Sequence, residues 1–209
     1  MKKLILFLLF VPVLSFGQTI KGIGKLSIDM SFKEVQTLFP KKMVKQQTSS
    51  PIKKVYKLSS YTPIREHTFN NIYLYFYNDT LYAIYSLDAP VALKESFTIK
   101  YGKPTEKFYR FRSSVEEMAA IFDLDAVDFI YKWDNTKTYG FEDTFYKWQN
   151  DNPFIQVLYV FGTYYDGEDI KAKEIFYIKD IAIAKCVELE EEKAKLEDRE
   201  KKAKELEGL

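Results

Sequence analysis

One cysteine in 209 residues, Cys186, excludes an intramolecular disulfide, so whatever this chain builds must be held by its core. One histidine, His67, leaves a single imidazole as the base of any nucleophilic triad, and one His with one Cys serves zinc poorly. Charge of one sign is missing as well. The 31 Lys and Arg offset 30 Asp and Glu to a net +1, which gives neither a nucleic-acid footprint nor a polybasic membrane patch. There is no glycine-rich phosphate loop and no Gly-x-Ser-x-Gly elbow. After the first 17 residues no apolar run approaches the ~20 needed to cross a bilayer as a helix.

The first 17 residues are of a different kind. Lys2 and Lys3 precede an apolar run from Leu4 to Leu14, and Ser15-Phe16-Gly17 puts small residues where a signal peptidase inspects them. This predicts an export signal at 1–17, a mature chain starting at Gln18, and a periplasmic or secreted product. A buried N-terminal helix is the alternative, but it would need a polar face. Losing Lys2 and Lys3 takes the net charge from +1 to −1. No cysteine stands near the cleavage site to carry a diacylglycerol anchor.

The next stretch, Gly24 to Pro40, organises the reading of the rest. Leu26 and Ile28 alternate with polar residues as in a half-buried strand. Ser31 and Glu34 then have the spacing of a reciprocal capping box, with Met30 and Val35 placed as a hydrophobic staple, and Pro40 stops the helix. Downstream, Val55–Ser59 reads as a short strand. Ile72–Tyr77 and Thr80–Ser86 are two β-rich runs joined by Asn78-Asp79, a hairpin signature. Val91–Tyr101 reads as a second helix with Gly102 as its C-cap and Pro104 beyond it. Strands are expected at Lys107–Arg112, Phe129–Trp133, Thr144–Trp148, Phe154–Phe161 and Ile175–Ile178, with a short helix or ordered loop at Val115–Phe122. From about Asp180 the aromatics stop and i, i+4 pairs such as Glu191 with Lys195 and Asp198 with Lys202 accumulate, which predicts a charged, solvated helix. Leu189, Leu196 and Ala203 recur every seven residues, but charged neighbours weaken a coiled-coil reading.

The class expected is therefore α+β: short helices on an antiparallel sheet, arranged as two tandem helix-plus-meander units over 18–88 and 89–180, with a charged C-terminal helix at 181–209. The start Met30-Ser-Phe-Lys-Glu-Val35, the helix closing at Gly102-Lys-Pro104, and Leu74-Tyr-Phe-Tyr-Asn-Asp-Thr-Leu81 resemble small periplasmic domains. Those are the SmpA/OmlA outer-membrane assembly lipoproteins and the β-lactamase-inhibitor-protein fold. The resemblance implies a fold and a binding role. The chain departs from the lipoprotein pattern in lacking an acylated cysteine and in ending its first helix at Phe39-Pro40.

Candidate chemistry is sparse. Cys186 and His67 could form a nucleophilic pair, although the apolar neighbours of Cys186 predict an ordinary buried thiol. Asp123, Asp125 and Asp128 could serve a carboxylate-dependent hydrolase acting on envelope carbohydrate, yet they lack the glycine and distal glutamate of a calcium loop, as does Asp166-Gly-Glu-Asp169. Tyr73, Tyr75, Tyr77, Tyr82 and Tyr85 concentrate on one hairpin. Tyrosine suits interfaces because each ring gives apolar area and a polar edge at small entropic cost. The other reading of these rings is a sheet face covered by the same chain. The sequence thus points to a non-catalytic binding or interaction module of the bacterial envelope or exterior, binding a protein through those tyrosines without cofactor, metal or nucleic acid. The carboxylate hydrolase is the alternative.

Overall fold

The computed structural model describes residues 19–48, 50–64, 67–86, 88–90, 92–111, 142–148, 150–166 and 169–207. The expected export signal, the helix at Val115–Phe122, the strand at Phe129–Trp133 and Asp123, Asp125 and Asp128 lie outside the described residues.

The Gly24 to Pro40 stretch folds as its spacing predicts, with one difference. The expected single strand is a minimal hairpin of β1 (Gly22–Ile23) and β2 (Leu26–Ser27). Gly24 turns it at φ 61°, and a Cβ there would stand 2.4 Å from the Tyr61 hydroxyl. That hydroxyl accepts from the Lys25 N–H at 2.6 Å and donates to the Ile23 carbonyl at 3.0 Å. Glycine is required by dihedral and by space. α1 (Phe32–Leu38) then starts at the reciprocal cap: Ser31 Oγ accepts from the Glu34 N–H at 3.2 Å, and Glu34 Oε2 accepts from the Ser31 N–H at 2.7 Å. Val35 is fully buried, and the helix ends at Phe39.

Two strand pairs follow. β3 (Met43–Lys45), inside what reads as a polar connection, pairs with β4 (Lys53–Leu58). β5 (Tyr61–Ile64) and β6 (His67–Phe69) make a small hairpin of their own. β7 (Ile72–Tyr77) and β8 (Thr80–Ser86) turn through Asn78 and Asp79 at φ 46° and 61°, as a two-residue type I′ hairpin requires. The α1 entry is tied to this turn, because the Phe32 N–H donates to the Asp79 carbonyl at 2.7 Å and the Leu81 N–H to the Met30 carbonyl at 2.8 Å. α2 (Leu93–Tyr101) ends at Gly102, φ 82°, whose carbonyl accepts from the Trp148 indole N–H at 3.1 Å. The chain continues through β9 (Glu106–Phe111), β10 (Glu142–Trp148), β11 (Ile155–Asp166) and β12 (Asp169–Asp180) into α3 (Ile181–Glu207).

Eight antiparallel strands form the main sheet in the order β3-β4-β7-β8-β12-β11-β10-β9. The fold class is the expected α+β. A helix followed by four sheet strands occurs twice, and the last strand of each run, β8 and β12, meet at the centre with Tyr85 opposite Tyr177. A central antiparallel pair relates its two sides by a local twofold normal to the sheet, which leaves faces unexchanged. Val35 of α1 and Leu93 and Phe97 of α2 accordingly share one core cluster with Ile72, Leu74 and Phe76.

Strict alternation fails in β8. Leu81 and Ile84 both join that cluster, while Tyr82 and Ala83 both face the other way. The register jumps from Phe76 opposite Leu81 to Tyr75 opposite Ala83, so Tyr82 is the extra residue of a β-bulge.

Ser31→Ala is expected to lower stability by about 1 kcal/mol through loss of the cap. Gly24→Ala is expected to cost about 1–3 kcal/mol through strain. Both should move the urea midpoint at constant slope; an unmoved midpoint for Ser31→Ala would mean that the cap contributes nothing.

Candidate binding face

Alternation along β7 and the bulge in β8 bring Tyr73, Tyr75, Tyr82 and Tyr85 to one face, where Tyr177 joins them and Tyr77 ends the row. Tyr75 packs edge-on against Tyr85 and Tyr82 at 5.0 and 6.3 Å between centroids, and Tyr85 stacks on Tyr177 at 5.4 Å. Tyr73, Tyr75, Tyr82 and Tyr85 are only 7%, 8%, 5% and 2% exposed. What covers them includes the root of α3, since Ala184 and Val187 are buried in the same cluster with Ile183 at its edge.

The root is fixed by polar contacts. Asp180 Oδ1 accepts from the Ala182 and Ile183 N–H groups at 2.9 and 3.0 Å, and the Ile181 N–H donates to the Phe154 carbonyl at 2.8 Å, so the orphan donors of the first turn are satisfied. Three turns on, half-buried Tyr77 donates its hydroxyl to Glu190 Oε1 at 2.5 Å. That hydrogen bond to a carboxylate, with some burial, holds the phenol above its ordinary pKa. Lys53, 7% exposed, brings Nζ to 3.3 Å from Glu191 Oε1. Beyond Glu191 the helix leaves the sheet: apart from half-buried Ala194, the side chains from Glu192 to Leu206 are exposed. The tyrosine face is thus covered in part by the chain's own helix, and a partner reaching the rings beneath Ala184 and Val187 has to take the place of α3.

The opposite face carries a polar corner that periodicity did not flag. By alternation with Phe176, Glu174 of β12 points toward the α1 and α2 side, as Ser86 of β8 does with Ile84. Both are buried, and neither Glu174 Oε2 nor Ser86 Oγ has a hydrogen-bond partner. Burial pushes the Glu174 carboxyl above its ordinary value, with Lys94 of α2 partly opposing the rise. Lys94 itself lies over the Tyr146 ring, 4.3 Å from its centroid.

The remaining candidates are not assembled. Cys186 is exposed, against the buried thiol expected, because one residue is about 100° of helix and Val187 takes the sheet side. His67 belongs to a hairpin whose Tyr61 and Phe69 lie in the first cluster, on the other side of the sheet from α3. Asp166 and Asp169 pair across the end of β11 and β12. Among the described residues no group of three His, Cys, Asp or Glu could hold a metal ion. The sequence did hold a signal for the covering helix, in Ile181, Ile183, Ala184 and Val187. Nothing in it marked the bulge.

No protein-family model, curated protein or solved structure matches this chain.

Glu174 sets a pH dependence with a definite sign. Its folded pKa is raised, so its favourable contribution is complete below the ordinary value of 4.5 and is lost as pH rises through the folded value, where ionisation leaves a buried charge. Glu174→Gln, which stays neutral, should therefore gain stability on the wild type between pH 4 and pH 8. Urea midpoints of both proteins at the two pH values measure this, and a wild-type-minus-variant difference that does not change with pH would count against it.

Proposed function

We propose that the chain is an exported, non-catalytic binding module of the bacterial envelope or exterior, with the outer part of α3 as its contact element and the tyrosine face as the seat that holds it. One observation carries this reading. A 27-residue helix uses Ile181 to Glu191 against the sheet and leaves Glu192 to Glu207 standing off it, about 24 Å of helix at 1.5 Å per residue. An unsupported helix of that length is marginal in water, and Lys202 bonding Asp198 at 2.7 Å adds only a few tenths of a kcal/mol.

The apolar residues on this helix point the right way for a partner. Leu189 lies about 200° from the sheet-facing Val187, and Leu196 falls within about 20° of Leu189. Both face away from the tyrosines and are 56% and 57% exposed. From Glu192 to Glu207 there are six basic and six acidic side chains, so the arm offers no net charge to a polyanion or an anionic bilayer. The chemistry fits a protein groove that accepts leucines from one helix face between mixed charges. The resemblance to the SmpA/OmlA and β-lactamase-inhibitor-protein domains, which are binding domains, points the same way, and the repeated helix-and-meander order supports it. Asp123 and Asp128, on which the hydrolase alternative rests, lie outside the described residues.

A photo-crosslinking residue at Leu196 should yield a discrete adduct from envelope extract, whereas one at exposed Ile99 on α2 should not. Leu189→Glu with Leu196→Glu should abolish the adduct and leave the melting temperature within about 2 °C, because neither leucine packs against the sheet. Equal adducts from both positions would remove α3 as the contact element. Light scattering before and after truncation at Glu191 separates a foreign partner from a second copy of this chain. Export is read directly: the secreted product should begin at Gln18 by mass, and retention of Met1 would refute the cleavage.

A further inference from the structure

β3 stands at one end of the main sheet's strand order, so among the described residues one side of it is open. The ladder with β4 says which backbone groups are left over there. The Gln46 N–H donates to the Val55 carbonyl at 2.8 Å, which makes Gln46–Val55 and Val44–Lys57 the hydrogen-bonded pairs and Met43–Leu58 and Lys45–Tyr56 the pairs between them. The N–H and C=O groups of Met43 and Lys45 therefore point away from β4. Side chains alternate along the same strand. Met43 packs against the cluster on the α1 side and Lys45 shares its face, while Val44 lies on the α3 side and is 56% exposed.

The charge here is one-sided, in a chain that is balanced as a whole. From Val35 to Ile64 there are six lysines and no aspartate or glutamate. Two of the six are matched by acids from other elements: Lys53 lies 3.3 Å from Glu191, and Lys54 lies 2.8 Å from Asp79. Lys41, Lys42 and Lys45 are exposed and have no acidic partner among the described residues. Lysine on an edge strand commonly guards against pairing. These lysines also select what pairs. A second copy of β3 laid along the first would bring two sets of them together, and β9, at the other end of the sheet, is itself net cationic, with Lys107 and Arg110 against Glu106. An acidic strand meets attraction along the whole open side.

We infer that the β3 edge binds an extended acidic segment of a partner protein, added to the sheet as a further strand. Its backbone pairs with the N–H and C=O groups of Met43 and Lys45, its acidic side chains lie beside Lys45 and the Lys41-Lys42 turn, and an apolar side chain covers Val44. So short an edge supplies few hydrogen bonds, and charge carries much of the affinity. The edge is a separate surface from the outer part of α3, so it stands or falls independently of the contact element proposed above.

The test is titration of the ¹⁵N-labelled mature chain, at low salt, with the peptide acetyl-Asp-Val-Glu-Val-Glu-Val-Asp-amide. Three comparators are titrated beside it: the same peptide N-methylated at alternate residues, its counterpart with lysine for each acid, and inorganic polyphosphate. Saturable binding below about 1 mM is expected for the acidic peptide, weakening as salt is raised. At saturation, exchange of the Met43 and Lys45 amides with water should slow by about tenfold, while that of Val44, already bonded to Lys57, should not change. The N-methylated and lysine peptides should bind at least about tenfold more weakly, because one loses the ladder and the other the attraction. Lys45→Pro removes an edge N–H that β4 does not use, and should abolish binding. Lys41→Glu with Lys42→Glu and Lys45→Glu should reverse the preference between the acidic and lysine peptides, at a melting temperature within about 2 °C of the wild type. Polyphosphate or the N-methylated peptide binding as tightly as the acidic peptide would make the edge a general polyanion surface and overturn the assignment. So would the absence of saturable binding by about 5 mM, unslowed Met43 and Lys45 amides, or an unreversed preference in the triple variant.

Discussion

Everything in this fold answers to one constraint, that β7 and β8 are buried on both faces. Ile72 through Phe76 and Leu81 through Ser86 are all buried. An antiparallel sheet commonly leaves one face to water; here β7 and β8 carry Ile72, Leu74, Phe76, Leu81 and Ile84 below and Tyr73, Tyr75, Tyr82 and Tyr85 above. The lower face is met by α1 and α2, which bring Val35, Leu93 and Phe97 to it, with Lys94 over the Tyr146 ring. The upper face cannot be met by apolar residues alone, because a covered phenol needs a partner for its hydroxyl. Glu190 on α3 supplies one for Tyr77, and Gln156 supplies one for Tyr177.

The same constraint explains why α3 lies where it does. Its apolar grip is small, chiefly Ala184 and Val187, and small side chains on a smooth aromatic surface would let a helix slide. Position is set instead by directional contacts at both ends of the root, from the Asp180 cap to the Tyr77–Glu190 hydrogen bond and the Lys53–Glu191 pair. A largely buried ion pair is a poor source of net stability, since desolvation offsets most of its attraction, but it fixes register well.

Much of this was legible in the sequence wherever a local rule fixed the outcome. The capping box of α1, the Asn78-Asp79 turn and the glycine after α2 are decided within four or five residues, and each is found where the spacing puts it. The tyrosines were legible as a cluster on one hairpin, but not as a set sharing one face. Tyr82 and Tyr85 are three apart and would fall on opposite faces of a regular strand; a bulge with no residue signature reunites them. Their burial was illegible for another reason, because it depends in part on α3, about a hundred residues away, returning to the hairpin.

The place where α3 crosses the sheet is also a place where the ladder is short, shorter than every other ladder of this sheet except the edge pair β3–β4. Within the sheet, among the described residues, the two halves meet through β8 and β12, by four residue pairs from Phe176–Ser86 to Lys179–Ala83, against six between β7 and β8 and twelve between β11 and β12. A seam so short in backbone hydrogen bonds must be held by side chains on its two faces. Below it, Phe97 of α2 meets Phe176 edge to face at 4.9 Å, tying the second helix to the central strand. Above it, Tyr85 of one half stacks on Tyr177 of the other, and Ala184 and Val187 lie in the same cluster. Among the described residues of the first half α3 has no counterpart; α1 precedes the main-sheet strands there and packs below. The helix therefore breaks the internal symmetry at the junction that most needs support. A contact that pulled on its outer part would load the Glu191–Lys53 and Glu190–Tyr77 contacts on β4 and β7 first, and reach the seam through Val187 and Ala184 after them.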